Sequence, residues 1–300
     1  MDGAVITTKK ASKLKAVDPK AAEPSKPKIL LFGRAGVGKT WLTLDFPSVY
    51  YCDTEGGANR AHYTDKLKKS GGAYFGPDQG SQSFENVIEQ VKALATEDHH
   101  YKTLALDSGS KLYDMARQEA TESGGDDFGR DKKEANKPAR KLMSWLQRID
   151  MNVIIICHEI PQWGIDSKGE RTQTGVTFDA WAKLDYDLDL ALNIQKTGPR
   201  RFAKVSKSRL EGFEEGTTFD LSYEEFARRY GKDVIERDTV KLALATDGQL
   251  AEIAKLISIV KLDEANKQDK WIIENATNMA EVEAEKVAKI ITHLKQKVKV

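Results

Sequence analysis

Continuous apolar runs alternate along the chain with segments whose apolar positions recur every three or four residues. The runs are Ile29–Phe32, Val49–Cys52, Thr103–Leu106 and Val153–Cys157. With no regular polar face to turn toward water, each reads as a strand buried on both sides. Between them, Phe84, Val87, Ile88, Val91 and Leu94 mark one amphipathic helix. Leu142, Trp145, Leu146 and Ile149 mark another, with Pro138 expected at its entrance. Strand and helix in alternation predict a mainly parallel sheet covered on both faces. Further on, Leu188–Ile194 and Arg200–Lys207 flank a Gly198–Pro199 break and predict an antiparallel hairpin at the end of the sheet.

A capping box of Ser222 and Glu225 opens a helix that stops at Gly231, and a second box, Thr246 and Gln249, opens the last segment. There Leu250, Ile253, Leu256, Ile257 and Val260 form one apolar face, and Val287, Ile290, Ile291, Leu294 and Val298 another. The expected organisation is a tail over residues 1–26, an α/β core over 27–244 and a small all-α module over 245–300. The tail is rich in Lys, Ala, Ser and Pro, lacks periodicity and is expected to be disordered. The segment from Glu122 to Lys141 has mixed charge and is expected to be a mobile loop leading into a helix, with no chemistry assigned.

A chain of 300 residues accommodates such a core with an appendage. Its net charge of +1 gives no overall attraction to nucleic acid or anionic membrane, so any such contact must come from local patches. No apolar run reaches the length of a membrane span, and no signal-peptide core is visible, so no membrane partner is expected. Cys52 and Cys157 both lie inside predicted strands. A disulfide framework is therefore not expected, and a reducing cytoplasm fits.

The candidate chemistry begins where the first strand ends. Gly33-Arg34-Ala35-Gly36-Val37-Gly38-Lys39-Thr40 satisfies G-x-x-x-x-G-K-[ST], with a strand before it and a helical segment after. Glycines let backbone N–H groups turn toward phosphate oxygens; Lys39 is expected on the β- and γ-phosphates and Thr40 on Mg²⁺. Asp107, closing an apolar strand, is the expected second anchor for Mg²⁺, with Ser108 beside it. Asp53 and Glu55 emerge at the carboxyl edge of the sheet, where open α/β sheets bind ligands. Glu55 is the expected base for an attacking water, and Asp53 the residue that holds its loop. His158 and Glu159 end another strand at the same edge, where a polar group can sense the terminal phosphate. Cys157–His158–Glu159 lacks a second Cys/His cluster at ligand spacing, so no zinc-type site is expected.

Taken in order, "GRAGVGKT", "YYCDTEGG", "LALDSGS", "IIICHE" and "KVSKSR" resemble the RecA-like P-loop ATPases, and among them the core-only RecA-like ATPases of tailed phages. The resemblance spans residues 28–230. It implies a RecA-like core with its C-terminal hairpin, ATP and Mg²⁺ as cofactors, and Glu55 as catalytic glutamate. It implies His158 as sensor, where RecA itself carries Gln, and Lys207 and Arg209 as cations reaching a neighbouring subunit's site. Those two residues equally fit an ordinary solvated strand. It also implies ATP-dependent annealing or exchange of single-stranded DNA in phage-type homologous recombination, inside the host cytoplasm. Self-assembly into a ring or filament and a single-strand-binding partner belong to the same expectation. Alternatives are a DNA-annealing module that uses nucleotide only as a switch, and a regulatory P-loop ATPase that does not act on DNA.

DNA needs cations along its phosphates and aromatic faces for its bases. The segment after His158 supplies Trp163, Lys168, Arg171, Phe178, Trp181 and Lys183, with Gly164, Gly169 and Gly175 expected to make it mobile. The same aromatic residues, so closely spaced, fit packing into a core as well.

Overall fold

The computed structural model describes residues 16, 24–57, 60–124 and 130–298. Its α/β core runs β1 (Lys28–Gly33), α1 (Lys39–Thr43), β2 (Val49–Asp53), α2 (Ala61–Lys69), β3 (Ala73–Phe75), α3 (Phe84–Thr96), β4 (Thr103–Asp107), α4 (Gly109–Gly124) and α5 (Arg130–Arg148). It continues through β5 (Asn152–Ile165), β6 (Arg171–Asp179), α6 (Leu184–Asp187), β7 (Leu190–Thr197), β8 (Arg200–Ser208), β9 (Thr218–Asp220), α7 (Tyr223–Tyr230) and α8 (Lys232–Glu236). The sheet order is β3-β2-β4-β5-β1-β7-β8-β9, with β6 paired to β5 outside that path. Strands β3 to β7 along this order are parallel, and β8, β9 and β6 join antiparallel. This is the mainly parallel sheet with an antiparallel hairpin at its end expected from the sequence.

The apolar runs are continuous because both sheet faces are covered. Leu30 and Phe32 of β1, Leu104 and Leu106 of β4, and Ile155 of β5 pack with α3, α4 and α5 through Val91, Leu112 and Leu142. The alternate residues Ile29, Leu31, Ala105, Ile154 and Ile156 pack on the other face with Leu42, Leu67, Phe226 and Ile235. Each such aliphatic side chain contributes about 1.5–3 kcal/mol by leaving water. Cys52 and Cys157 are buried among them as free thiols. Parallel pairing in register, Gly33 with His158 and Asp53 with Asp107, brings the carboxyl ends of the strands to one edge.

Several expectations are corrected. Strand β5 does not end at Cys157 but runs on to Ile165 and pairs with β6 from His158–Asp179 outward. The segment after His158, whose glycines were expected to make it mobile, is therefore a β-hairpin that leaves the sheet. Trp181, expected as a possible DNA contact, is 3% exposed and meets Phe84 and Tyr113 edge-on, so it belongs to the core. Phe178 sits edge-on against Phe32. Pro138 lies inside α5 rather than at its start, and the described parts of 122–141 are helical. Residues 125–129 lie outside the described residues.

Most of the expected N-terminal tail also lies outside them. Lys26, counted in that tail, is instead buried: its Nζ donates to the Arg237 carbonyl at 2.5 Å, and burial lowers its pKa to about 8. Lys28 donates to the carbonyls of Ile149 and Met151, both at 2.7 Å, and burial brings its pKa to about 7.

After α8 come α9 (Asp247–Ile259), α10 (Lys267–Asn275) and α11 (Ala284–Val298). They share a separate cluster of Ile253, Leu256, Ile272, Val287, Ile290 and Leu294. The Thr246–Gln249 capping box opens α9. Asp269 is buried where α10 meets α11 and accepts hydrogen bonds from His293 Nε2 at 2.7 Å and from Lys297. Burial alone would raise the pKa of Asp269, but those bonds and the Asp263 N–H hold it down to about 2.

The two hairpin-region tryptophans are separated by stability. Trp181→Ala should cost about 3–5 kcal/mol in denaturant unfolding, because it empties a packed site. Trp163→Ala, which removes a side chain that is 52% exposed, should stay within about 0.5 kcal/mol.

Candidate functional site

Strand β1 ends where its chain must turn sharply. Gly33 has φ 154°, and a Cβ there would lie 2.4 Å from the Ile194 carbonyl oxygen, so a side chain would separate β1 from β7 at the turn. The loop Arg34–Gly38 then feeds into α1. Lys39 folds back beneath it, donating to the carbonyls of Gly33 at 2.7 Å and Arg34 at 2.9 Å. Burial lowers the pKa of Lys39, while the nearby carboxylates of Asp107 and Glu55 act the other way.

Thr40 and Asp107 meet across the edge. The Thr40 hydroxyl donates to Asp107 Oδ2 at 2.6 Å, and the Tyr51 hydroxyl donates to the same oxygen at 2.5 Å. Burial raises the pKa of Asp107, and these two bonds oppose the rise. A hydroxyl beside a carboxylate is a hard-oxygen donor set. It suits Mg²⁺, which keeps most of its waters and takes few protein ligands. Among the described residues no group of three or more His, Cys, Asp or Glu side chains is arranged to hold a metal.

Asp53 builds the turn that carries the next carboxylate. Its Oδ1 accepts from the N–H groups of Glu55 at 3.0 Å and Gly56 at 2.9 Å, and its Oδ2 accepts from the Tyr74 hydroxyl at 3.1 Å. Glu55 Oε1 in turn accepts from Ser108 Oγ at 2.5 Å and from His158 Nε2 at 2.7 Å. The His158 bond is the main cause that lowers the pKa of Glu55, and the same bond raises that of His158. The Glu55 side chain is 40% exposed, so water reaches it. Lys39, Thr40, Asp53, Glu55, Asp107 and His158 all line one cavity of about 200 Å³.

Strand alternation sends Glu159 elsewhere. It accepts from Asn193 Nδ2 at 3.0 Å and lies 3.5 Å from Arg34 Nε. The backbone N–H of His158 donates to Ser110 Oγ at 2.8 Å, and Ser110 donates to the Asp179 carbonyl at the base of the β5–β6 hairpin. On that hairpin Trp163 is exposed, with the Arg171 guanidinium 5.0 Å from its ring centre. Lys168 is at the tip, where its N–H and that of Glu170 bond to Asp166. Lys183 is exposed beyond the hairpin, at the start of α6 with φ 70°.

Lys207 and Arg209 do not join this group. Strand β8 runs antiparallel to β7, so Lys207 pairs with Ala191 at the opposite edge of the sheet. There Lys207 donates to the Leu188 carbonyl and Arg209 to that of Tyr186. The same geometry puts the beginning of β8, not its end, at the phosphate-type loop. Arg201 lines a second cavity of about 320 Å³ with Gly36, Gly38, Lys39, Thr40, Trp41 and Tyr63. Arg201, Tyr51 and Asn193 join the edge without having been expected there, and Ser108, expected beside Asp107, also holds Glu55. For Arg201 a signal existed: the residue follows a hairpin turn whose first strand rises to the carboxyl edge.

A family model described as an AAA domain matches residues 25–213. The crystal structure of the RadB recombinase is similar at 20% identity, over 65% of this chain and 86% of that one, with a TM-score of 0.41. No curated protein matches. The matched residues run from just before β1 to beyond β8 and take in every strand that presents a side chain to the two cavities: the chain belongs to the AAA domain family of P-loop NTPases.

Proposed function

We propose that the protein is an ATPase that acts on single-stranded DNA, annealing or exchanging strands in phage-type homologous recombination. Thr40 and Asp107 would hold Mg²⁺, which when bound offsets the negative charge of the phosphates. Lys39 and the glycine-rich loop cradle the triphosphate. Glu55, kept ionised by its hydrogen bonds, accepts the proton of a water whose oxygen attacks the γ-phosphorus. The bond from that phosphorus to the β-bridging oxygen breaks, and ADP carries the electron pair away. His158 orients the glutamate through their hydrogen bond.

One observation carries the link to DNA. The Glu55–His158 contact of 2.7 Å connects the cavity to β5, and the same strand continues into the hairpin that exposes Trp163 and Ile165. A change at the terminal phosphate felt by His158 therefore acts at the root of the hairpin. Trp163, Arg171 and Lys168 supply the aromatic and cationic groups that a single strand needs. Lys207 and Arg209, at the far edge, enter only as groups offered to a neighbouring copy. Self-assembly and a single-strand-binding partner complete the proposal, as does a separate role for the helical module after residue 244.

ATP hydrolysis with and without single-stranded DNA, at several salt concentrations, tests the whole. DNA should stimulate turnover, most at low salt; stimulation absent at every salt would remove DNA from the reading. Glu55→Gln should lower kcat by about 10²–10⁴-fold while ATP still binds. Unchanged kcat would sink the hydrolytic scheme. Substituting Lys207 and Arg209 together should reduce turnover and leave nucleotide affinity intact, and restored activity on mixing with the Glu55 variant would mark action between subunits.

The pH dependence follows from the paired shifts. The raised pKa of His158 stabilises the fold fully below its ordinary value of 6.5, and that contribution is lost as pH rises through the raised value. The lowered pKa of Glu55 contributes fully above 4.5 and is lost as pH falls through the lowered value. Both contributions to stability are thus full between about 4.5 and 6.5, and the ion pair itself persists up to the raised pKa of His158. Turnover should climb as the imidazole deprotonates above that window and frees Glu55 for water. His158→Gln should abolish that alkaline limb of the kcat profile.

A further inference from the structure

Two cavities flank the phosphate-type loop, and only one has been used so far. The cavity with Glu55 and His158 takes the terminal phosphate. Gly36, Lys39, Thr40 and Tyr63 line both cavities. A nucleotide whose last phosphate lies at Glu55 must therefore leave past these shared residues into the second cavity. What enters there is its nucleoside end, with the phosphates nearest the ribose.

The second cavity holds a cation of its own. Arg201 comes from β8 and lies across Gly38, where a Cβ would meet its Cδ at 3.0 Å and its Nε at 3.2 Å. Gly38 has none, so the side chain closes onto the loop. Its neighbour Arg200 is paired with Asp220 at 3.0 Å. Among the described residues Arg201 has no such side-chain partner, although its backbone carbonyl takes the Leu221 N–H. An exposed guanidinium held against a phosphate loop without a carboxylate lacks only an anion. The other walls, Trp41 and Tyr63, are aromatic, with ring centres 6.2 Å apart. They suit the flat, apolar part of a nucleoside.

We propose that Arg201 is an in-cis nucleotide-binding residue that pairs with the α- and β-phosphates, in a subsite completed by Trp41 and Tyr63. It reads the nucleoside diphosphate and not the γ-phosphate, so ATP and ADP gain equally from it. This rests on the nucleotide reading above and assigns it a residue outside the loop motif. The position lets a hairpin more than 160 residues from the loop in sequence bear on nucleotide affinity. It also separates Arg201 from Lys207 and Arg209, which lie on the same strand or just past it but at the other sheet edge.

The test is nucleotide titration of the full chain, followed by tryptophan fluorescence or calorimetry. Arg201→Ala should weaken ATP and ADP alike, by about tenfold or more, the scale of one charge-assisted contact. Arg201→Lys should recover part of the affinity. Arg200→Ala, on the same hairpin but paired to Asp220, should change neither constant. An Arg201→Ala protein with wild-type affinity overturns the proposal. So does weakened ATP binding with ADP unaffected, which would make Arg201 a γ-phosphate group, and so does a defect confined to DNA binding. Wild-type protein that binds neither nucleotide would overturn the ATPase reading itself, and this inference with it.

Discussion

The carboxylate of Asp107 receives two hydrogen bonds, from Thr40 and from Tyr51, and the candidate site is assembled around that junction. Thr40 opens the helix after the loop, Tyr51 lies in β2, and Asp107 closes β4, so one oxygen fixes three elements relative to one another. Charge at such a place is costly unless hydrogen bonds offset it. That cost favours a ligand set ready to accept a cation. The junction also sets the position of Ser108, the next residue, whose hydroxyl holds Glu55. The loop, through Thr40, and the carboxylate of Glu55 are therefore both tied to the end of β4.

A second consequence of this economy is that the polar edge and the hairpin are one strand. Interior strands of a doubly covered sheet normally stop at the edge. Strand β5 continues for several residues with both faces exposed, stabilised by pairing with β6 alone. Ser110, at the start of α4, bonds to both sides of this crossing: it accepts from His158 and donates to Asp179. A shift at the edge thus has a stiff path outward, where a flexible loop would dissipate it.

The elements that the sequence made legible are those whose signal is local or periodic. Both-face burial wrote itself into uninterrupted apolar runs, and the loop glycines with Lys39 and Thr40 announced themselves by spacing. Asp107, Glu55 and His158 were readable because each follows an apolar run. The rest depended on contacts that no short window contains. The outer part of β5 carries Pro161 and Gly164 and buries little, so no alternation reports it. Trp181 looks the same in sequence whether it meets a base or the rings of Phe84 and Tyr113. Pro138 reads as a helix start, yet α5 accommodates it internally. Arg201 and Gly38 meet only because β8 returns antiparallel to the edge from which β7 rose. The same antiparallel return puts Lys207 at the far edge, because strand direction decides which end of a basic strand faces the loop.

The two sulfurs of the chain bear on how the protein can be studied. Cys52 and Cys157 both lie deep in strands, and burial pushes their thiols up, that of Cys157 to about 12. A thiol so protonated and so enclosed is a poor nucleophile. The folded protein is therefore chemically quiet toward maleimides and similar labels, and a single cysteine introduced on the hairpin tip would take a dye or spin probe without competition. Motion of that tip becomes observable in otherwise native sequence.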